Sequence, residues 1–193
     1  MLEFNEEEHR YTWDGTVVPG VTTVLKPLSN YDMVPQHIME KAAARGHAVH
    51  LATELHDEGT LDEESMDPTI KPYLDAWKMF RETQGYGIVV SEARVFSEKG
   101  MYAGTLDRIL EKKGHYYLGD IKSTFAHIPT VGPQTAAYQK AWEEAMGIKI
   151  KGRLSIRLKT DGHPEVTELN NRSDLAIFNN CLAIYKWRAQ HYG

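Results

Sequence analysis

Residues 106–122 read LDRILEKKGHYYLGDIK. Two runs rich in β-branched and aromatic residues flank Lys113-Gly114, and glycine supplies the positive φ that a tight hairpin turn needs. With that pair as the turn, Lys112 faces His115. Counting outward along both strands, Asp107 faces Asp120. Lys122, two residues further on, shares their side. Opposed carboxylates repel and destabilise a hairpin unless a cation lies between them. The pattern therefore points to an oxygen-ligand site for Mg²⁺ or Mn²⁺. Asp107, Asp120 and Lys122 are the candidate catalytic residues. A metal would activate water against a phosphodiester, and the ammonium would position that water or stabilise developing negative charge. On an exposed hairpin the same residues would be merely solvated charge.

The flanking sequence places this hairpin in a mixed α/β fold. Residues 2–13 alternate weakly, Asp14-Gly15 is a turn signal, and PGVTTVL (19–25) reads as β-rich. A helix is predicted over 34–56, ended by Gly59, and a second from Pro68 to Gly85. Ile38, Ala42, Val49, Leu51 and Leu55 would line the first; Tyr73, Trp77 and Phe80 would anchor the second. Strands follow over 88–96, 101–111 and 116–123, then a helix from Pro133 to Met146. A strand pair is predicted over 148–159 and 164–169. A last helix, capped by Ser173, would bury Leu175, Phe178, Leu182 and Tyr185. Trp77, Trp142 and Trp187 are expected in the core. The result is a single domain over 1–193, with helices flanking a central, largely antiparallel sheet. Its N-terminal part (1–87) is a hairpin and helices; 88–193 hold the catalytic sheet.

Composition narrows the function. Hydrophobic residues make up 41% and charged residues 25%, ordinary for a globular protein. The net charge of −5 argues against general nucleic-acid affinity, so DNA binding would rest on local basic surface and metal. The single cysteine, Cys181, excludes a disulfide framework and any iron–sulfur cluster held by this chain's own cysteines. With no secretion signal or apolar span, a cytoplasmic location is expected, in a bacterium or a phage-infected host, with no membrane partner.

GTLD (104–107) followed by DIKST (120–124) resembles the core of the PD-(D/E)XK nuclease superfamily. RGHAVH (45–50) resembles the G-x-x-x-H element of its RecB-like branch, and QTAAY (134–138) the Q-x-x-x-Y element. PGVTTVL is similar to a stretch of the mitochondrial genome maintenance exonuclease and its phage-encoded relatives. The resemblance implies a restriction-endonuclease-like core and one or two Mg²⁺ or Mn²⁺ ions. His50, Asp107, Asp120 and the backbone carbonyl of Ile121 would hold metal, and Lys122 would be catalytic. It also implies an exonuclease acting on single-stranded or end-containing duplex DNA in phage or genome recombination, replication or repair, beside other proteins of those processes. A structure-selective endonuclease and a non-catalytic nucleic-acid-binding module are the alternatives.

Other residues extend the candidate site. Glu54 shares the His50 helix face and would assist at the metal or sit on the surface. Glu92, on the strand before the hairpin, would approach the centre or pair with Arg94. Gln134 would contact phosphate or support the metal, and Tyr138 would stack on a base or buttress Lys122, near a helix start that Pro133 marks. Ser123 and Thr124 follow the lysine as supporting residues. His47 is assigned no role. Lys149, Lys151, Arg153, Arg157 and Lys159 alternate with Ile148, Ile150, Leu154, Ile156 and Leu158. That pattern reads as a core face and a basic face, either a phosphate track or a solvated edge. Tyr31 and the 57–67 loop are candidates for gating a single-strand channel.

Overall fold

Weak alternation in the first positions builds a small antiparallel sheet of β1 (Leu2–Asn5), β2 (Arg10–Trp13) and β3 (Thr16–Val18). The computed structural model describes residues 1–29, 34–125 and 128–192; Tyr31 lies outside them. Asp14 and Gly15 take φ of 45° and 77°, the turn whose twist matches its flanking strands. Tyr11 and Val18 bury against Phe96 and Ala103. The β-rich stretch PGVTTVL does not form a strand. Gly20 makes one bridge to Ala103, and Val21–Leu25 is a short helix, α1. Val21, Val24 and Leu25 fall at helical spacing into the core, so packing overrides β propensity.

The main sheet holds β4 (Gly87–Ser97), β5 (Tyr102–Lys112), β6 (His115–Lys122), β7 (Ile150–Leu158) and β8 (Pro164–Glu168), ordered β4-β5-β6-β7-β8. Every neighbouring pair is antiparallel except β6–β7, which is parallel. That pair is joined through α4 (Val131–Met146), as a parallel connection requires. The chain is thus an α/β fold with a mixed, largely antiparallel sheet flanked by helices. On one side, α1, α4 and α5 (Asp174–Tyr192) pack on Leu106, Ile109 and Leu118. On the other, α2 (Gln36–Glu58) and α3 (Lys71–Gln84) pack on Leu110, Ile121, Leu154 and Ile156. Gly59 and Gly85 end α2 and α3 in left-handed conformation, φ 72° and 66°.

Several helix faces differ from expectation. Val49, Ala52 and Thr53 are the buried residues of α2, while Ile38 and Leu51 are exposed. Its apolar residues do not form one stripe, so periodicity misassigned them. Pro133 is the third residue of α4, not the first, still within the turn whose N–H groups lack helical acceptors. Phe178 and Leu182 are buried in α5, but Tyr185 and Trp187 are exposed because the helix outruns the core that covers its first half. Among the described residues no helix is long and apolar enough to cross a membrane.

Candidate metal centre

Lys113 and Gly114 take φ of 54° and 76° and turn β5 into β6. The ladder runs from Lys112↔His115 to Arg108↔Gly119, leaving Asp107 and Asp120 as the next residues on the two strands. There a side chain replaces the backbone acceptor: Asp107 Oδ2 accepts the Ile121 N–H at 2.6 Å. Asp107 Oδ1 lies 3.8 Å from His50 Nδ1.

His50 reaches this strand end from α2. Its Nδ1 is 3.3 Å from Glu92 Oε1, and its Nε2 is 3.1 Å from the Ile121 carbonyl. Burial disfavours charge on the ring, but Asp107 and Glu92 outweigh it and lift its pKa to about 8. At neutral pH the imidazolium is therefore the counter-cation of these carboxylates. The Ile121 carbonyl, expected among the metal ligands, faces His50 Nε2 and helps orient that ring.

Glu92 enters through an irregularity. The β4–β5 register shifts between Ile88 and Val90, and Glu92 takes φ 47°, which a side chain with a Cβ adopts at a cost of roughly 1–2 kcal/mol. His50, Glu92 and Asp107 present ligand atoms within 4.8 Å of one another. Asp120 is not in that tight group. Both of its carboxylate oxygens are buried; Oδ2 lies 2.7 Å from Lys122 Nζ, while Oδ1 has no hydrogen-bonding partner. Burial, with Asp107 adding to it against the pull of Lys122, pushes the Asp120 carboxyl up to about 6. One nitrogen, clustered carboxylate oxygens and the buried, unpartnered Oδ1 of Asp120 beside them fit a small divalent cation that prefers oxygen.

A buried guanidinium holds the back of this cluster. Arg108 donates from Nη1 to Glu92 Oε1 at 3.1 Å, from Nε to Asp57 Oδ2 at 3.1 Å and from Nη2 to Thr53 Oγ1 at 3.1 Å. It also lies over the Trp77 ring, 5.4 Å from the centroid. Asp57 is in turn bonded by Trp77 Nε1 and Arg81. The buried charge is thereby paired on several sides, as a stable interior requires. Asp107 and Arg108 are sequence neighbours, but the sequence gives no cue to the latter's role; only α2 and α3 packing reveals it.

A cleft of about 910 Å³ opens over the centre. His50, Glu54, Glu92, Asp107, Lys122 and Gln134 line it, joined by His47, which the sequence reading left without a role. Burial, then the Glu92 charge, push the Glu54 carboxyl up. Gln134 Nε2 lies 3.4 Å from the Tyr138 hydroxyl. Tyr138 is buried and packs on Gly104, where a Cβ would fall 2.4 Å from its Cε1; it buttresses β5 and has no ring face open to a base. Burial, then Asp107, raise its phenol well above its ordinary pKa. Ser123 is buried near Gly46, and Thr124 follows it.

The basic strand departs from the expected pattern. Arg153 is buried, donating to the Gly132 and Leu169 carbonyls and to Asp174 at 2.9 Å. Lys149 pairs with Glu143, Arg157 with Glu165 and Lys159 with Asp161; Lys151 is exposed. Since β7 lies inside the sheet, part of its basic face is covered by α4 and α5 residues. None of these cations lines the cleft.

No family model and no curated protein matches the sequence. Among solved structures, a proposed exonuclease from Eubacterium rectale superposes with a TM-score of 0.54 at 12% identity, over 75% of this chain and 65% of that protein. The two share a fold. The protein SSO0001 aligns at a TM-score of 0.38 and 14% identity, over 78% of this chain and 73% of its own, too distant to bear on the site.

Proposed function

We propose that this chain is a metal-dependent deoxyribonuclease that hydrolyses phosphodiester bonds, acting as an exonuclease in phage or genome recombination, replication or repair. The observation that carries this reading is the meeting of part-buried His50 and Glu92 with buried Asp107, beside the buried Asp120 and its ion-pair partner Lys122. His50, Glu92 and Asp107 would hold the ion, with Asp120 beside them. A bound Mg²⁺ or Mn²⁺ supplies the charge that polarises a phosphate and acidifies water. Lys122, at the cleft wall, donates to the phosphate oxygens as negative charge grows on them. Arg108 keeps Glu92 in place, and Gln134 offers its amide to the substrate from α4. The motif resemblance and the fold shared with a proposed exonuclease support the end-dependent mode.

Linear and circular DNA, each single- and double-stranded, incubated with Mg²⁺ or Mn²⁺ test this directly. Linear molecules should be degraded and circles spared. Asp120→Ala and Lys122→Ala should each slow cleavage by at least roughly 10²-fold, the scale set by loss of one transition-state donor. Wild-type protein that cuts nothing with either metal, or variants that cut as well as wild type, would overturn the proposal; cut circles would overturn the exonuclease mode alone.

A further inference from the structure

The cleft does not end at the metal centre. Phe4, Glu6, His9 and Tyr11 carry its wall onto the N-terminal sheet, with Arg94 of β4 beside them. The two parts are tied together: Tyr11 hydroxyl and Thr105 Oγ1 are 3.0 Å apart, and Thr105 is paired with Arg94 across β4–β5. Arg94 lies two residues beyond Glu92, about 7 Å along the strand.

The residues on this wall have the chemistry of a nucleotide subsite. Phe4 packs on Tyr11 with ring centroids 4.4 Å apart, and His9 meets Phe4 edge-on at 5.2 Å. Phe4 is half-buried and His9 exposed. His9 takes φ 48° at the end of the β1–β2 turn, placing its ring beside Phe4. Trp13 on the same sheet is different, because its ring stacks on the core residue Phe96. Arg94 holds its guanidinium carbon 5.3 Å from the Phe4 centroid, and its only charged partner among the described pairs is exposed Glu6, 3.7 Å away. An exposed pair at that distance is weak and easily displaced by a phosphate.

We propose that Phe4, His9 and Arg94 form a subsite for the nucleotide beside the scissile phosphate of a single-stranded nucleic acid. The base stacks on the exposed His9 ring, which Phe4 supports edge-on, and Arg94 leaves Glu6 to take the phosphate. An unpaired strand is required because only an unstacked base offers its ring face. This rests on the nuclease reading for the position of the scissile phosphate, but the subsite binds whether or not cleavage occurs.

Fluorescence anisotropy of the full chain with a thymidine oligomer and an abasic oligomer of equal length tests it, in Ca²⁺ with oligomer integrity checked by electrophoresis. Wild type should prefer the thymidine oligomer about tenfold, one stacked base's worth. Phe4→Leu and His9→Ala should each abolish most of that preference, and Phe4→Tyr should keep it. Arg94→Gln should weaken both oligomers and flatten the salt dependence by about 0.7, one phosphate contact on a single strand. Glu6→Gln should tighten both. His9 and Arg94 are partly exposed, so their variants decide the matter even if Phe4→Leu fails to fold. An unchanged base preference in His9→Ala, or an unchanged salt slope in Arg94→Gln, overturns the subsite. Wild-type cleavage of the same oligomer in Mn²⁺, measured separately, distinguishes the two readings. Cleavage with no base preference sinks the subsite alone, whereas a preference lost in the variants without any cleavage sinks the nuclease alone.

Discussion

Both carboxylate oxygens of Asp120 lie out of solvent, Oδ1 without a hydrogen bond and Oδ2 against Lys122 Nζ. Burial outweighs the pull of Lys122 and holds the carboxyl near 6, so the ionised form burdens the metal-free fold. Asp120→Asn should therefore stabilise the metal-free protein by about 1–2 kcal/mol at pH 7.5, measured by urea unfolding in chelator, while abolishing cleavage. A destabilised variant would show that the Lys122 pair outweighs burial. Arg108 has the opposite sign. Arg108→Met removes the buried cation that Asp57 and Glu92 share and should cost about 3–5 kcal/mol; it should also weaken Mn²⁺ binding roughly 10- to 100-fold by loosening Glu92. Unfolding curves and a Mn²⁺ titration read the two effects separately. The convergence of Asp107 and Asp120 was legible in the sequence because a two-residue turn sets the register of everything beyond it. Glu92 was legible only as an option, since its position depends on a register shift and a left-handed backbone that alternation does not encode.

Helices and strands meet the site through close packing. The Tyr138 ring occupies the space above Gly104 where a Cβ would stand, bringing α4 against β5. Gly104→Ala should cost about 1–3 kcal/mol through overpacking. In a Tyr138→Ala background the same change should cost much less, and equal costs in both backgrounds would contradict the contact. This pairing explains why a glycine stands at the head of GTLD and a tyrosine at the end of QTAAY. Strand boundaries were legible from β-branched runs between turn residues. The role of β7 was not, because alternation marks two faces without saying whether the second is covered. Arg153 looks like a surface cation in sequence, yet it bonds Asp174 and two carbonyls inside the fold. The helical α1 was missed for a similar reason: Val21, Val24 and Leu25 suit a strand locally and a helix only once the core is present.

At the scale of the whole molecule, the centre links metal to stability. Asp120 and His50 both have pKa values raised on folding, from 3.8 to about 6 and from 6.5 to about 8. For each, the stability contributed below the ordinary pKa is lost as pH rises through the folded one. The metal-free protein should thus lose stability from these groups between about pH 4 and 8. A divalent ion displaces those protons, so its stabilising effect should grow over the same window. At a hundred times its Kd, Mn²⁺ adds about 2.7 kcal/mol, a rise in Tm of roughly 5–10 °C for a chain of this size. Thermal melts with and without Mn²⁺ should show a larger rise at pH 8 than at pH 5.5; equal rises at both would contradict the linkage.

The parallel pairing of β6 with β7 has a consequence for how the protein is made. A nascent chain that has reached Met146 already carries His50, Glu92, Asp107, Asp120 and Lys122. Its β6 is still an open edge, because the neighbour that covers it comes from Ile150–Leu158. The Asp120 segment then lacks the flanking strand that helps enclose it. Synthesis delivers the chemical groups first and their enclosure last, so the site is enclosed only when the chain after Met146 has docked.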